Sequence, residues 1–429
     1  GGGQGGLGLA ARLKRLNVPT IVVEKNERAG DSWRNRYRTL CLHDPVWYDH
    51  MPYLPFPDHW PVFSPKDKLG DWLEMYAKVM ELNFWGSTLC TSAEYDDEAE
   101  RWTVNVERDG ELVTLRPTHL VLATGMSGSP LIPDFPGLEE FEGVVCHSSD
   151  YRSGAAYAGK RAVVIGSNTS AHDICAELWE SGADVTMVQR SPTIVIRSES
   201  MSELSWGTLY SEAAVARGVT TERADLTMAS TPFRVQPERL VRMNKQFQER
   251  DADLYAGLRA AGFLVDFGED GTGIGGAYPR RGGGYYIDVG ASQLLIDGSI
   301  GVCSRVGIKK IHSDAVELTN GDVLKADLIV CATGYGPMNE WASKLISPDV
   351  ARRVGRCWGL GSGAKGDPGP WEGELRNMWK PNQQPGLWFH GGNLMQSRFY
   401  SRCVALQLKA RLEGVATPVY AIPDVPHLA

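Results

Sequence analysis

The 429-residue sequence predicts an α/β fold with two Rossmann-like dinucleotide-binding domains, three-layered, with a β-meander. Three observations predict it. A glycine-rich loop at the start runs into an apolar helical pattern and then a β-branched run. A second stretch mid-chain repeats the order strand, glycine loop, helix, strand. Between them, residues 94–125 ("EYDDEAERWTVNVERDGELVTLRPTHLVLATG") alternate polar and apolar like short antiparallel strands.

The opening "GGGQGGLGLAARLKRL" places Gly1, Gly3 and Gly6 in a GxGxxG pattern, followed by Leu7, Leu9, Ala10, Leu13 and Leu16 on a helical period. "PTIVVEK" then ends in Glu24 and Lys25. Gly1 permits a tight turn, Gly3 lets the backbone approach a pyrophosphate, and Gly6 lets helix and strand pack closely. The helix N-terminus faces the phosphate charge, and an acid about 20 residues on binds ribose hydroxyls. A linker would not run into an amphipathic helix and a strand.

The second stretch, "KRAVVIGSNTSAHDICAELWESGADVTMVQRS", has Ala162 to Ile165 as its strand, then Gly166, Asn168 and Ala171 in the loop positions. Laid over the first loop, Gly1 falls on Gly166, Gly3 on Asn168, Gly6 on Ala171, Glu24 on Gln189 and Lys25 on Arg190. The carboxylate is therefore missing, and an arginine stands beside its place. A carboxylate would repel a 2′-phosphate, whereas a guanidinium grips one with two hydrogen bonds. The first site suits an unphosphorylated ribose and the second NADPH; Ser170 and Ser191 complete the second set. The overlay also leads to the expectation that the native protein has a strand upstream of Gly1. A third pattern, Gly271, Gly273 and Gly276, is followed by a proline and more glycines and reads as a loop.

Composition narrows the partners. A net charge of -8 argues against nucleic acid, and no apolar run is long enough for a transmembrane segment. The 8 cysteines include no CxxC pair, which fits reduced thiols and a cytoplasmic protein without a metal site. The expected partners are a small-molecule substrate and O2, with a homodimer left open.

Before the second loop lies "FEGVVCHSSDYRSG", with Phe141, Gly143, His147 and Tyr151 at fixed spacing. This resembles the fingerprint of class B flavoprotein monooxygenases, and its tyrosine ending is similar to the flavin-containing monooxygenases. "CLHDPVWYDHMPYLPFPDHW" resembles the YUCCA-like branch, as does "YYIDVGASQLLIDGSIGV". Gly30 and Trp33 in "AGDSWR" resemble the family's GGxW turn. Ala123, Thr124 and Gly125, and later Thr333 and Gly334, resemble its two ATG linkers. The resemblance implies that NADPH reduces FAD, that the reduced flavin forms a C4a-hydroperoxide with oxygen, and that one oxygen atom passes to a small substrate. Oxidative decarboxylation of an indole-3-pyruvate-like 2-oxo acid, N- or S-oxygenation and Baeyer–Villiger insertion all stay open. So does an NADPH oxidase or redox sensor.

His43 falls where the family places an asparagine near the flavin. It is the catalytic candidate, set against a histidine satisfied within a loop. His147 is expected to hold the linker, and His172 to pack. Asn393 and Gln396, after Gly392, are candidates for the flavin's pyrimidine edge or plain turn residues. His390 marks a strand end, where ligands gather in α/β sheets. Aromatics cluster in residues 44–60 and at Trp358, Trp371, Trp379 and Trp388, as walls for a flat substrate or as core. Pro368 and Pro370, beside Gly366 and Gly369, read as a lid loop. The expected domains are 1–155 with 328–429 for FAD, and 156–327 for NADPH with a helical insertion about 201–261.

Overall fold

The computed structural model describes residues 1–361, 367 and 374–418. The expected lid prolines, Gly366, Gly369 and Trp371 lie outside the described residues. The largest sheet holds five parallel strands in the order Gly301–Ser304, Asp184–Gln189, Arg161–Ile165, Leu328–Cys331, Val144–His147. Alternation splits its central strands between two cores. Ala162, Val164, Leu328 and Val330 face the helix Thr169–Glu180 through Ile174 and Leu178. Val163, Ile165, Ile329 and Cys331 face the antiparallel strands Ile308–His312 and Ala315–Leu318 through Ile311, Val316 and Leu318. Helix, sheet and meander are the three layers. Val144–His147 already pairs with this sheet, so the boundary expected near 155 falls downstream of a strand that belongs to it.

The first unit is built around two parallel strand pairs, Val22–Val23 with Phe84–Trp85 and Leu120–Leu122 with Leu387–Phe389. Gly1 sits between the pairs: its nitrogen donates to the Val23 carbonyl at 3.0 Å, and a β-carbon on it would collide with the Ala123 carbonyl. Helices Gln4–Arg15 and Leu394–Leu412 pack side by side over these strands. The meander Thr88–Asp96, Arg101–Arg108, Glu111–Leu115 is antiparallel as its alternation requires, burying Trp102, Val104 and Val106.

The helical region lies between Ser198 and Ala260 and covers a small parallel sheet of Thr193–Arg197, Val265–Asp266 and Tyr285–Asp288. Its core takes in Tyr48 and Met395 from the first unit. A buried ion pair fastens the same junction: Arg398 donates to both Asp225 oxygens at 2.8 and 2.6 Å, and to the carbonyls of Tyr48 and His50. Removing either partner would strand a buried charge, at a cost of about 3–5 kcal/mol.

The third glycine pattern corrects the sequence reading. Gly273–Arg281 is a helix, not a loop, and Pro279 lies inside it. Asp270 ties down both ends: Oδ1 accepts from Thr272 and Oδ2 from Arg280 at 2.6 Å. The helix stops only at Gly282, in the left-handed region at φ +68.

Candidate active site

The first glycine loop feeds the helix Gln4–Arg15 directly, so the helix N-terminus and its free N–H groups lie at the loop. A β-carbon on Gly6 would collide with the Gly1 carbonyl, which is why loop and helix can close so tightly. One on Gly3 would meet only Ser32 Oγ at 3.4 Å, leaving room above the loop for a pyrophosphate. Glu24 is buried beneath it, accepting from Gly2 N at 2.5 Å and from Asn26 N at 2.9 Å. Lys25 lies next along the chain. Gly30 takes φ +83 against the Gly70 backbone, and Trp33 Nε1 donates to Gln4 Oε1 at 3.0 Å, closing the turn onto the first helix.

The second loop has the same build. Gly166 takes φ +129, and a β-carbon there would collide with the Ala332 carbonyl. Asn168 is exposed at the N-terminus of Thr169–Glu180; Ser170 lies in the first turn and Ala171 is buried under it. Gln189, at the acid's place, is buried and used by the fold: Nε2 donates to the Leu264 carbonyl and Oε1 accepts from Leu264 N. Arg190 and Ser191 are exposed at the strand end, and Arg190 makes no hydrogen bond or ion pair among the described residues. A free guanidinium beside an occupied glutamine fits a phosphorylated ribose.

The two ATG linkers lie side by side. Gly128 N donates to the Gly336 carbonyl at 2.7 Å, Gly336 N to Ser129 and Leu131 N to Gly334. Thr333 Oγ1 donates to the Leu131 carbonyl. Gly125 and Gly334 both adopt positive φ, +89 and +86, where the chain leaves each strand. Ala123 and Thr124 follow the strand Leu120–Leu122. His147 is buried against this crossing, Nε2 at 3.0 Å from the Gly334 carbonyl and Nδ1 at 2.9 Å from Ser149 Oγ. Burial outweighs these contacts and lowers its pKa. Gly143 packs against Phe141 and the Asp327 backbone, and the Tyr151 hydroxyl donates to Glu177 on the second loop's helix.

Where the units meet, His43 Nε2 lies 3.4 Å from Asp173 Oδ1, and its ring meets the edge of Tyr286 at 6.0 Å. His172 packs as expected, stacked on the Tyr286 ring at 3.9 Å. Asp44 makes no hydrogen bond among the described residues; it lies within electrostatic reach of Tyr48, Tyr278 and Tyr285. Burial, opposed by His43, raises its carboxyl to about 6. Asn393 and Gln396 form a reciprocal capping box on the last helix, after Gly392 at φ +104. They also reach beyond the helix: Asn393 Nδ2 donates to the Tyr48 hydroxyl at 3.1 Å, and Gln396 Oε1 accepts from Tyr278 at 2.7 Å. His390 is fully buried with neither ring nitrogen bonded, and burial lowers its pKa to about 4. Trp379 stacks on Tyr400 while Trp358 and Trp388 are core residues. Among the described residues no cluster could hold a metal ion.

Residues 42–226 match a family model described as flavin-binding monooxygenase-like. YUCCA7 of Arabidopsis thaliana, described as a probable indole-3-pyruvate monooxygenase, is 31% identical over 78% of this chain and 73% of its own length. The chain belongs to the flavin-binding monooxygenase family. The indole-3-pyruvate monooxygenase YUCCA1 of Oryza sativa subsp. japonica is 30% identical over 78% of this chain and 75% of its own. Among solved structures, a cyclohexanone monooxygenase aligns over 96% of this chain and 87% of its own, at TM-score 0.67 and 17% identity. A flavin monooxygenase from Stenotrophomonas maltophilia aligns over 96% and 97%, at TM-score 0.62 and 17% identity. At such identities these two show the shared fold alone.

This flavin monooxygenase is an oxidoreductase that depends on FAD and NADPH. Its own geometry fits both: an open glycine cradle over a buried acid for one, and an exposed loop with a free arginine for the other. The fold sets His43 against Asp173, ties Asn393 and Gln396 to Tyr48 and Tyr278, and leaves His147 in the linker wall. Sequence reasoning had Tyr48 among the aromatics of residues 44–60 but missed Asp44, Asp173, Tyr278 and Tyr285. Asp44 adjoins His43 and Asp173 adjoins His172, but only the fold makes them face one another.

Proposed function

We propose that this monooxygenase oxygenates a small, aromatic or apolar molecule carrying an oxidisable nitrogen or sulfur atom. When bound, the two cofactors supply the electrons and the activated oxygen. The chain binds, orients and keeps the cleft dry. Tyr48, Tyr278 and Tyr285 offer aromatic walls, two of them held by Asn393 and Gln396. The observation that carries the reading is Asp44, a carboxylate with no hydrogen-bond partner among the described residues, within electrostatic reach of those tyrosines. It attracts an ammonium or tolerates a neutral thioether. It opposes a second carboxylate by about 4 kcal/mol at 4 Å with an effective dielectric of about 20. A 2-oxo acid is the second reading, favoured by the plant relatives' names. Cytoplasmic residence is part of the proposal; all 8 cysteines are free thiols, and no helix among the described residues is long and apolar enough to cross a membrane.

The test feeds the holoenzyme a tertiary amine, a thioether, a cyclic ketone and an arylpyruvate, counting NADPH used, product made and hydrogen peroxide released. An N-oxide or sulfoxide formed one-for-one with NADPH is expected. Coupled decarboxylation of the arylpyruvate, coupled ester formation from the ketone, or peroxide equal to NADPH with every compound would overturn it.

A further inference from the structure

The helix that opens at the second glycine loop carries two carboxylates one turn apart, Asp173 and Glu177, and both turn toward the flavin-side unit. Asp173 Oδ2 accepts from the Tyr37 hydroxyl at 2.6 Å, while its Oδ1 lies 3.4 Å from His43 Nε2. Glu177 takes the Arg38 guanidinium at 3.2 Å and the Tyr151 hydroxyl. Every flavin-side donor comes from the short stretch between Tyr37 and His43. Glu177 is a plain fastener: buried, saturated with donors and paired with an arginine that is always charged. Asp173 differs, because one of its partners is a histidine.

We propose that Asp173 is a positioning residue of the monooxygenase reaction, gripping Tyr37 and His43 so that the His43 ring is fixed at the seam between the two nucleotide sites. The proposal rests on the reading of the two loops as the FAD and NADPH sites. The helix bearing Asp173 has its N-terminus at the NADPH loop, so the residue that binds His43 moves with that cofactor's cradle. The groups facing His43 are Asp173 on that helix, Asp44 beside it in the chain, Asp288 at the end of the strand Tyr285–Asp288, and the Tyr286 ring of the same strand, on which His172 stacks. Burial works against the charged imidazole, but Asp173, then Asp44 and Asp288, outweigh it, and the His43 pKa ends above its ordinary 6.5. The contact with Asp173 thus favours the protonated imidazole and holds its Nε2 toward the second unit.

The test is a titration of holoenzyme labelled with 13Cε1-histidine, the His43 signal assigned by its loss in His43→Gln. A His43 midpoint above 6.5 is expected in the wild type. Asp173→Asn should lower it, because the largest raising partner loses its charge. The same variant should slow flavin reduction by saturating NADPH about tenfold with bound flavin unchanged, as positioning effects do. Tyr37→Phe should leave the midpoint raised, and Asp173→Glu should recover part of the rate. An unmoved midpoint in Asp173→Asn, or loss of melting temperature alone, overturns the proposal. Should that variant not fold, a wild-type midpoint below 6.5 overturns it instead. The titration needs no turnover. A shifted His43 in an enzyme that NADPH cannot reduce sinks the cofactor reading, while normal reduction with an unshifted His43 sinks only the positioning role.

Discussion

Arg190 is the side chain on which the proposed preference for NADPH rests. It is exposed at the end of Asp184–Gln189, beside a glutamine that the fold holds by two backbone bonds. Arg190→Ala should lower kcat/KM for NADPH about 10- to 100-fold, the value of a charge-assisted contact of about 1.5–3 kcal/mol. NADH should change little, and steady-state kinetics with both nucleotides checks this. Asp44 sets a pH limit. Its carboxyl titrates at about 6, so the negative charge is present above that value and lost as pH falls through it. KM for an amine substrate should therefore rise below that pH, and Asp44→Asn should remove the rise while weakening binding at neutral pH. The positions of Glu24 and Arg190 after their glycine loops were legible because spacing within one strand–loop–helix unit locates them; their roles toward a cofactor stay with the proposal. Asp44 and Asp173 were not legible: their roles arise from segments distant in sequence, and each stands beside a histidine that draws the eye first.

At the scale of elements, the glycine helices were legible because a close approach leaves a residue signature. Gly6→Val should abolish bound flavin, since any side chain strikes the Gly1 carbonyl; the flavin absorbance of purified protein reads this directly. The last helix shows the opposite lesson. Asn393 and Gln396 suit a ligand edge or a turn equally well in the sequence, yet together they cap the helix and hold Tyr48 and Tyr278. Asn393→Ala should cost about 1 kcal/mol for the lost cap. It should also raise substrate KM more than NADPH KM, because the Tyr48 wall loses its partner. Thermal melting and kinetics separate the two effects. The helix Gly273–Arg281 escaped notice because glycine and proline argue against a helix locally, and what holds it is Asp270 bonding Arg280 a full helix length away.

At the scale of the molecule, the two Rossmann units and the meander could be read from periodicity, while their mutual arrangement could not. The backbone pairing of residues 128–131 with 334–336 makes the linkers a single crossing. Around it, His43 and Tyr37 meet Asp173, and Arg398 meets Asp225. None of these pairings has a local sequence signal, since each joins residues on different units. Together they join the two glycine-loop units across one seam, and on the proposed reading of those loops they set the flavin and the phosphorylated nucleotide face to face, as electron transfer between the cofactors requires. The most direct measurement of that arrangement is anaerobic stopped-flow mixing of the flavin-loaded protein with NADPH or with NADH, followed by flavin absorbance. Rapid, complete bleaching by NADPH with much slower bleaching by NADH is the predicted result; equal rates with both, or no bleaching by either, would contradict it.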